Sequence, residues 1–131
     1  MGWQDTHVEV SEMFGQTFKR VWMTEEKDEV IFENDEVRYV LYHRRDCCES
    51  VYVEDITGDL EDLEGWPLLI ANEVHNADED PLSESEDSYT WTFYNFATYK
   101  GYVTIRFYGT SNGYYSESVD CRKEALINHL N

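Results

Sequence analysis

No uninterrupted apolar run in this 131-residue chain approaches the roughly 18 residues that a bilayer span needs. The opening residues, MGWQDTHVEV, carry neither the basic stretch nor the apolar stretch of a secretory signal. Cysteine is scarce too. Three thiols cannot all pair, and Cys47 and Cys48 are adjacent, where a disulfide would close a strained ring, so reduced thiols are expected. These absences predict an intracellular protein, resident in the cytoplasm, that does not enter membranes.

Positive charge is scarce relative to negative. Ten Lys and Arg face 28 Asp and Glu, a net charge of −18. Residues 25–87 hold 22 acids against four bases, the flanking segments balance, and no Lys or Arg occurs from Asp46 to Tyr99. Such a field repels nucleic acid, anionic membrane and acidic substrates, and attracts cations and basic proteins. The 15 acids from Asp46 to Asp87 equal the charge on roughly 7 to 8 base pairs of B-DNA at ~1.7 Å per charge, about the footprint of a small DNA-binding protein. The plainer reading is that the acids keep the protein soluble. A salt-adapted proteome is a poorer explanation, since it would spread acids over the whole chain.

Aromatic residues are plentiful. Ten Tyr, six Phe and four Trp offer more buriable area than a disordered chain carries, and the length suits one domain, 1–131, with one core. Strands are expected at Thr17–Thr24, at Val30–Phe32 and Val37–Tyr42 around an Asn34-Asp35 turn, at Ser50–Ile56, and at Leu68–Val74. Asp59 should cap a helical turn carrying Leu60 and Leu63 that Gly65 ends. Asn76–Ser88 reads as a solvated, mobile acidic loop. Tyr89–Phe96 and Tyr102–Tyr108 form the strongest strand pair, a central hairpin; a short strand over Tyr114–Val119 and a C-terminal helix over Cys121–Leu130, capped by Asp120, follow. The predicted class is mainly β with an α+β element: a twisted antiparallel sheet, sandwich or half-barrel, with one or two short helices. No internal repeat is present.

Two segments, DCCESVYVEDITGDLEDLEGWPLL (Asp46–Leu69) and SYTWTFYNFATYKGYVTIRFYGTSNGYYSESVD (Ser88–Asp120), resemble an uncharacterised family of small proteins of bacteriophages, prophages and some bacteria. The likeness runs from about Phe14 to Asp120, and DCCES and YGxSNGYYSE carry its specificity. It implies an origin, which favours proteins that act on host machinery, and transfers no activity or residue role.

Several constellations have residue types suited to chemistry. Asp55–Glu64 has the carboxylate density of a calcium loop, but an EF-hand needs Gly at position six and Glu at twelve, and here Gly58 is fourth and Trp66 twelfth. A solvated acidic turn is the simpler reading, with Ca²⁺ or Mg²⁺ as the alternative. His43, Cys47, Cys48 and Cys121 supply zinc-ligand types without zinc spacing, and Cys47 or Cys48 is expected instead to fill core space. A Cys–His dyad from Cys47 or Cys48 with His43 or His75 sits among carboxylates, which suppress thiolate, with Arg44 and Arg45 as partial offset. Glu49 with Glu54 or Glu117 has the makings of a glycosidase pair, though a chain this acidic always yields one. Ser111-Asn112-Gly113-Tyr114-Tyr115 and Glu117 have the composition of a recognition loop; the competing reading is a tight turn with a tyrosine over the core.

With no catalytic motif present, the sequence favours a non-enzymatic interaction protein without a cofactor, monomeric or dimeric. Its acidic face (Asp46, Glu49, Glu54, Asp55, Asp59, Glu61, Asp62, Glu64) would engage a basic partner, such as a host nuclease or other DNA-binding defence protein, by imitating DNA. The alternative is a cation-binding or structural protein of phage origin.

Overall fold

The computed structural model describes residues 2–75, 80–83 and 87–127. Nine strands are seen there: β1 (Gly2–His7), β2 (Arg20–Met23), β3 (Val30–Glu33), β4 (Val37–Tyr42), β5 (Ser50–Thr57), β6 (Ile70–His75), β7 (Ser88–Thr98), β8 (Gly101–Ser111) and β9 (Asp120–Ile127). Short 3₁₀ turns span Val10–Met13 and Leu60–Leu63. The strands form two antiparallel sheets, one of five in the order β1-β9-β4-β3-β2 and one of four in the order β5-β8-β7-β6. The protein is mainly β, and its sheets face each other across a shared core without closing into a barrel.

Local chemistry sets the hairpins. Asn34 Oδ1 accepts from the amides of Glu36 and Val37 at 2.9 and 3.0 Å, a side-chain-stabilised turn that joins β3 to β4. β7 and β8 pair in register from Ser88↔Ser111 to Thr98↔Gly101 and occupy the two inner positions of their sheet, as the run of β-branched and aromatic residues predicts. Alternate residues of β3, β4, β7 and β8 turn inward, so Phe32, Tyr39, Leu41, Tyr94, Phe96, Ile105 and Phe107 share one buried cluster. Phe32 and Phe96, from opposite sheets, meet with ring centroids 4.7 Å apart. Burial of each such side chain contributes on the order of 1.5–3 kcal/mol.

The outer face of the five-stranded sheet explains where much of the positive charge went. Arg20 lies over the Trp22 ring at 4.0 Å and Arg122 over the Tyr42 ring at 4.4 Å. Arg38 pairs with Glu33 at 3.1 Å and Glu124 at 3.5 Å. Their stems share this face with Val40 and Ile31, which are buried although they point away from the core. The arginines of this sheet thus lie against acids and aromatic rings of the same face.

Two expectations are corrected. The segment Cys121–Leu130 is not a helix as far as it is described: Asp120–Ile127 is β9, hydrogen-bonded to β4 on one side and β1 on the other, while 128–130 lie outside the described residues. Lys, Glu, Ala and Leu favour a helix locally, but a strand here supplies ladder bonds to two neighbours, and that tertiary gain overrides propensity. Ahead of the first expected strand, Gly2–His7 forms β1 on the edge of the same sheet. Tyr114–Val119 is irregular chain and not a strand. Of the acidic segment 76–88 expected to be mobile, 76–79 and 84–86 lie outside the described residues. Asp80–Ser83 rests on the outer face of the four-stranded sheet, where Trp91 Nε1 donates to Asp80 O at 2.9 Å and the Leu82 amide donates to Tyr108 Oη at 2.9 Å.

Candidate functional site

The two segments that carry the family likeness, distant in sequence, meet at one place. The turn Arg44–Glu49, between β4 and β5, and the loop Asn112–Val119, between β8 and β9, are bridged by His43. Its Nδ1 lies 2.7 Å from Ser118 O and its Nε2 2.8 Å from Glu49 Oε2. Both ring nitrogens of His43 thus lie within hydrogen-bond distance of an oxygen, one from each loop.

Glu49 is the anchor of the first loop. Its side chain is fully buried, and its two oxygens accept from the amides of Asp46 (2.7 Å) and Cys47 (2.9 Å) as well as facing His43. These bonds, the Asp46 amide foremost and then His43 and the other amides, outweigh burial and hold the carboxyl at about 2, well below its ordinary 4.5. Glu117 plays the same part in the second loop. It is 7% exposed, and Thr90 Oγ1 donates to it at 2.7 Å while Ser111 Oγ donates to its other oxygen. Gly113 takes the positive φ (89°) expected of the Asn-Gly turn, and Asn112 Oδ1 accepts from the Tyr114 amide. Gly109 lets the returning chain lie on β8: a Cβ there would sit 2.8 Å from Glu117 O. The signal the sequence offers for this close approach is a glycine directly after the Tyr102–Tyr108 strand pattern.

Cys47 and Cys48 correct the expectation of reduced thiols: they form a vicinal disulfide, with Cα atoms 3.7 Å apart. The Glu49 carboxylate and the Arg45 side chain, which donates to Cys47 O at 3.0 Å, hold the turn in which the two residues meet. Neither fills the core, since both are exposed. The core thiol is Cys121, which burial pushes up to about 12. Cys48 and Glu49 line two adjoining depressions of about 310 Å³ each. One adds Glu26, Asp28, Glu29, Tyr42 and Tyr52, the other Asp87, Thr110, Ser111, Asn112 and Tyr115. Tyr114 is 82% exposed, its ring edge-on to that of the half-buried Tyr115, and neither belongs to the core cluster.

The remaining acids spread along β5 and beyond. Glu54 and Asp55, at a β-bulge, flank Arg106 at 3.6 and 3.9 Å, and Arg106 stacks on Trp91 at 4.7 Å. Asp59 caps the 3₁₀ turn by accepting from the Glu61 amide at 3.0 Å, as expected. Asp46, Asp59 and Glu61 are exposed, Asp62 is half-buried, and Glu64 is tied inward, its Oε2 accepting from the Val21 amide at 2.9 Å. The eight acids foreseen as one face therefore divide: Glu49 and Glu64 are spent on internal bonds, while Asp46, Glu54, Asp55, Asp59 and Glu61 reach solvent. Of the pairings foreseen, His43 faces the Glu49 carboxylate, and the oxygens of Glu49 and Glu117 each accept hydrogen bonds from other groups. Among the described residues no group of three or more His, Cys, Asp or Glu is placed to hold a metal ion, and no helix is long and apolar enough to cross a membrane.

Tertiary structure adds acids that the linear count could not group. The Val53 amide donates to Lys27 O at 2.6 Å and so fastens the β2–β3 turn to β5. Glu26, Asp28 and Glu29 thereby share a depression with the Cys48–Glu49 corner.

Residues 7–121 match the sequence pattern of DUF7448, a domain of unknown function, which is most of the chain and includes both loops of this corner. The chain belongs to the DUF7448 family. No curated protein and no solved structure matches it. In this member of the family, the segments that carry the likeness are the walls of the corner built on His43, Glu49 and Glu117.

Proposed function

We propose that the protein is a non-enzymatic interaction module whose acidic seam engages a basic protein. The observation that carries this reading is the junction of the β2–β3 turn with β5, where Glu26, Asp28 and Glu29 meet the turn bearing Asp46, with Glu54 and Asp55 further along the same strand. Acids from separate segments then share one surface, with Arg45 on its wall, Arg122 near Glu29 and Arg106 beside Glu54 and Asp55 as its bases, while Arg38, Lys19 and Lys123 pair with carboxylates elsewhere. A rigid β scaffold presenting such a field raises the association rate of a cationic partner. A DNA-binding protein of a bacterial host, including one that acts against phage, is the partner this charge fits best, with the seam standing in for phosphates.

The test is a pull-down from host lysate at low and high sodium chloride, followed by competition with a DNA duplex. Exposed charge contacts are each worth about 0–1 kcal/mol, so Glu61→Gln alone should weaken capture less than about tenfold. Neutralising Glu54, Asp55, Asp59 and Glu61 together should abolish most of it, chiefly through association rate. Capture that ignores salt, or that one acid alone controls, overturns the reading. Stabilisation by Ca²⁺ or Mg²⁺ that the same quadruple variant loses would favour the cation-binding alternative.

The uncompensated acids also have a thermodynamic signature. Like charges that repel across distances near the Debye length of ~10 Å at 0.1 M are relieved by added salt. The thermal midpoint is therefore expected to rise from low to high sodium chloride, and an unchanged midpoint would mean that the acids are already paired.

A further inference from the structure

We propose that Cys47–Cys48 is a thiol–disulfide exchange site, cycled by small thiols and their disulfides, whose redox state sets the shape of both depressions at the His43–Glu49 corner. A disulfide stabilises a fold mainly by removing loop-closure entropy from the unfolded chain, and that effect grows with the loop enclosed. Cys47 and Cys48 are one residue apart and enclose no loop, so the bond gives the fold no such constraint. A bond between exposed residues that does not staple the chain is placed to react. It is also placed where reaction has consequences: Cys48 belongs to the wall between the two depressions, and Cys47 is tied through its amide to Glu49 and through its carbonyl to Arg45.

In the forward step a low-molecular-weight thiolate attacks one sulfur of the pair. The Cys47–Cys48 bond breaks, a mixed disulfide forms, and the released sulfur takes up a proton. A second thiolate attacks the mixed disulfide, releasing the external disulfide and the second protein thiol, protonated by solvent. Two external thiols are oxidised and one protein disulfide is reduced, and a disulfide such as oxidised glutathione drives the reverse. Opening the ring frees the peptide between Cys47 and Cys48 from its covalent tie, so the change is confined to this turn and the walls it forms. Cys121 takes no part, because it is buried in the core.

The test needs no binding partner, so its failure and that of the acidic-seam reading are separable. The full chain is equilibrated in glutathione buffers from fully oxidising to fully reducing, then denatured with a maleimide and weighed. One adduct, on Cys121, is expected at the oxidising end and three at the reducing end, reversibly and on a monomer. The thermal midpoint should differ between the ends by less than about 4 °C, the shift that ~1 kcal/mol produces in a domain of this size. Amide resonances of Asp46–Ser50 and Ser111–Tyr115 should move while those of Phe96 and Ile105 stay. The double variant Cys47→Ser with Cys48→Ser should fold and match the reduced spectrum in those loops. Three adducts under every condition overturn the proposal, as does a disulfide found only between two chains. A larger fall in midpoint on reduction also overturns it, since the bond would then be a structural staple.

Discussion

Replacing Glu49 with glutamine is expected to lower the thermal midpoint more than neutralising any exposed acid of the chain, and the loss is expected to disappear in acid. The carboxylate takes the Asp46 and Cys47 amides and faces His43 without solvent to substitute for it. Glutamine keeps the volume but has one acceptor oxygen, and its amide group turns donors toward donors, leaving buried groups unsatisfied. The folded-state value of about 2 lies below the ordinary 4.5, so ionised Glu49 stabilises the fold above the ordinary carboxylate range. That contribution drains away as pH falls from about 4.5 to about 2. Thermal melts of both proteins at neutral pH and at steps down to pH 2 check this, with Glu61→Gln, expected within about 0.5 kcal/mol of the parent, as the control. A gap between Glu49→Gln and the parent that is absent at neutral pH, or as wide at pH 2, would show that the carboxylate does not organise the corner.

Gly58→Ala is expected to cost about 2–5 kcal/mol in urea unfolding. Gly58 ends β5 at φ 98°, where a side chain is strained by roughly 1–3 kcal/mol. An added Cβ would also run into Tyr102 O and lie 3.2 Å from Val103 Cα, both on β8, and overpacking of this kind adds a similar amount. Backbone cannot swing aside as a side-chain tip does, so β5 and the Asp59-capped turn after it would have to shift. Gly15→Ala separates the two causes. Gly15 has φ 82° with nothing within 4 Å of the added carbon, so it should show the conformational cost alone, about 1–2 kcal/mol. Equal losses at the two positions would remove the close β5–β8 approach from the explanation.

Residue types alone specify the strand-rich class, the β3–β4 and β7–β8 hairpins, the Asp59 cap, the Asn112-Gly113 turn and the charge. These follow from contacts within a few residues: alternation on a pleat, side-chain capping, left-handed φ at glycine. Tertiary structure decided the rest. Asp120–Ile127 has helix-forming residues, yet it is a strand because β1 and β4 lie ready on either side, and no local rule sees partners that distant. Glu49 and Glu117 look in sequence like two more surface acids among 28, and they are buried because His43, Thr90 and Ser111 arrive from other elements to satisfy them. The acidic seam itself needed the hydrogen bond from Val53 to Lys27, since charge counted along a chain says how much field exists, and only packing says which carboxylates share a surface.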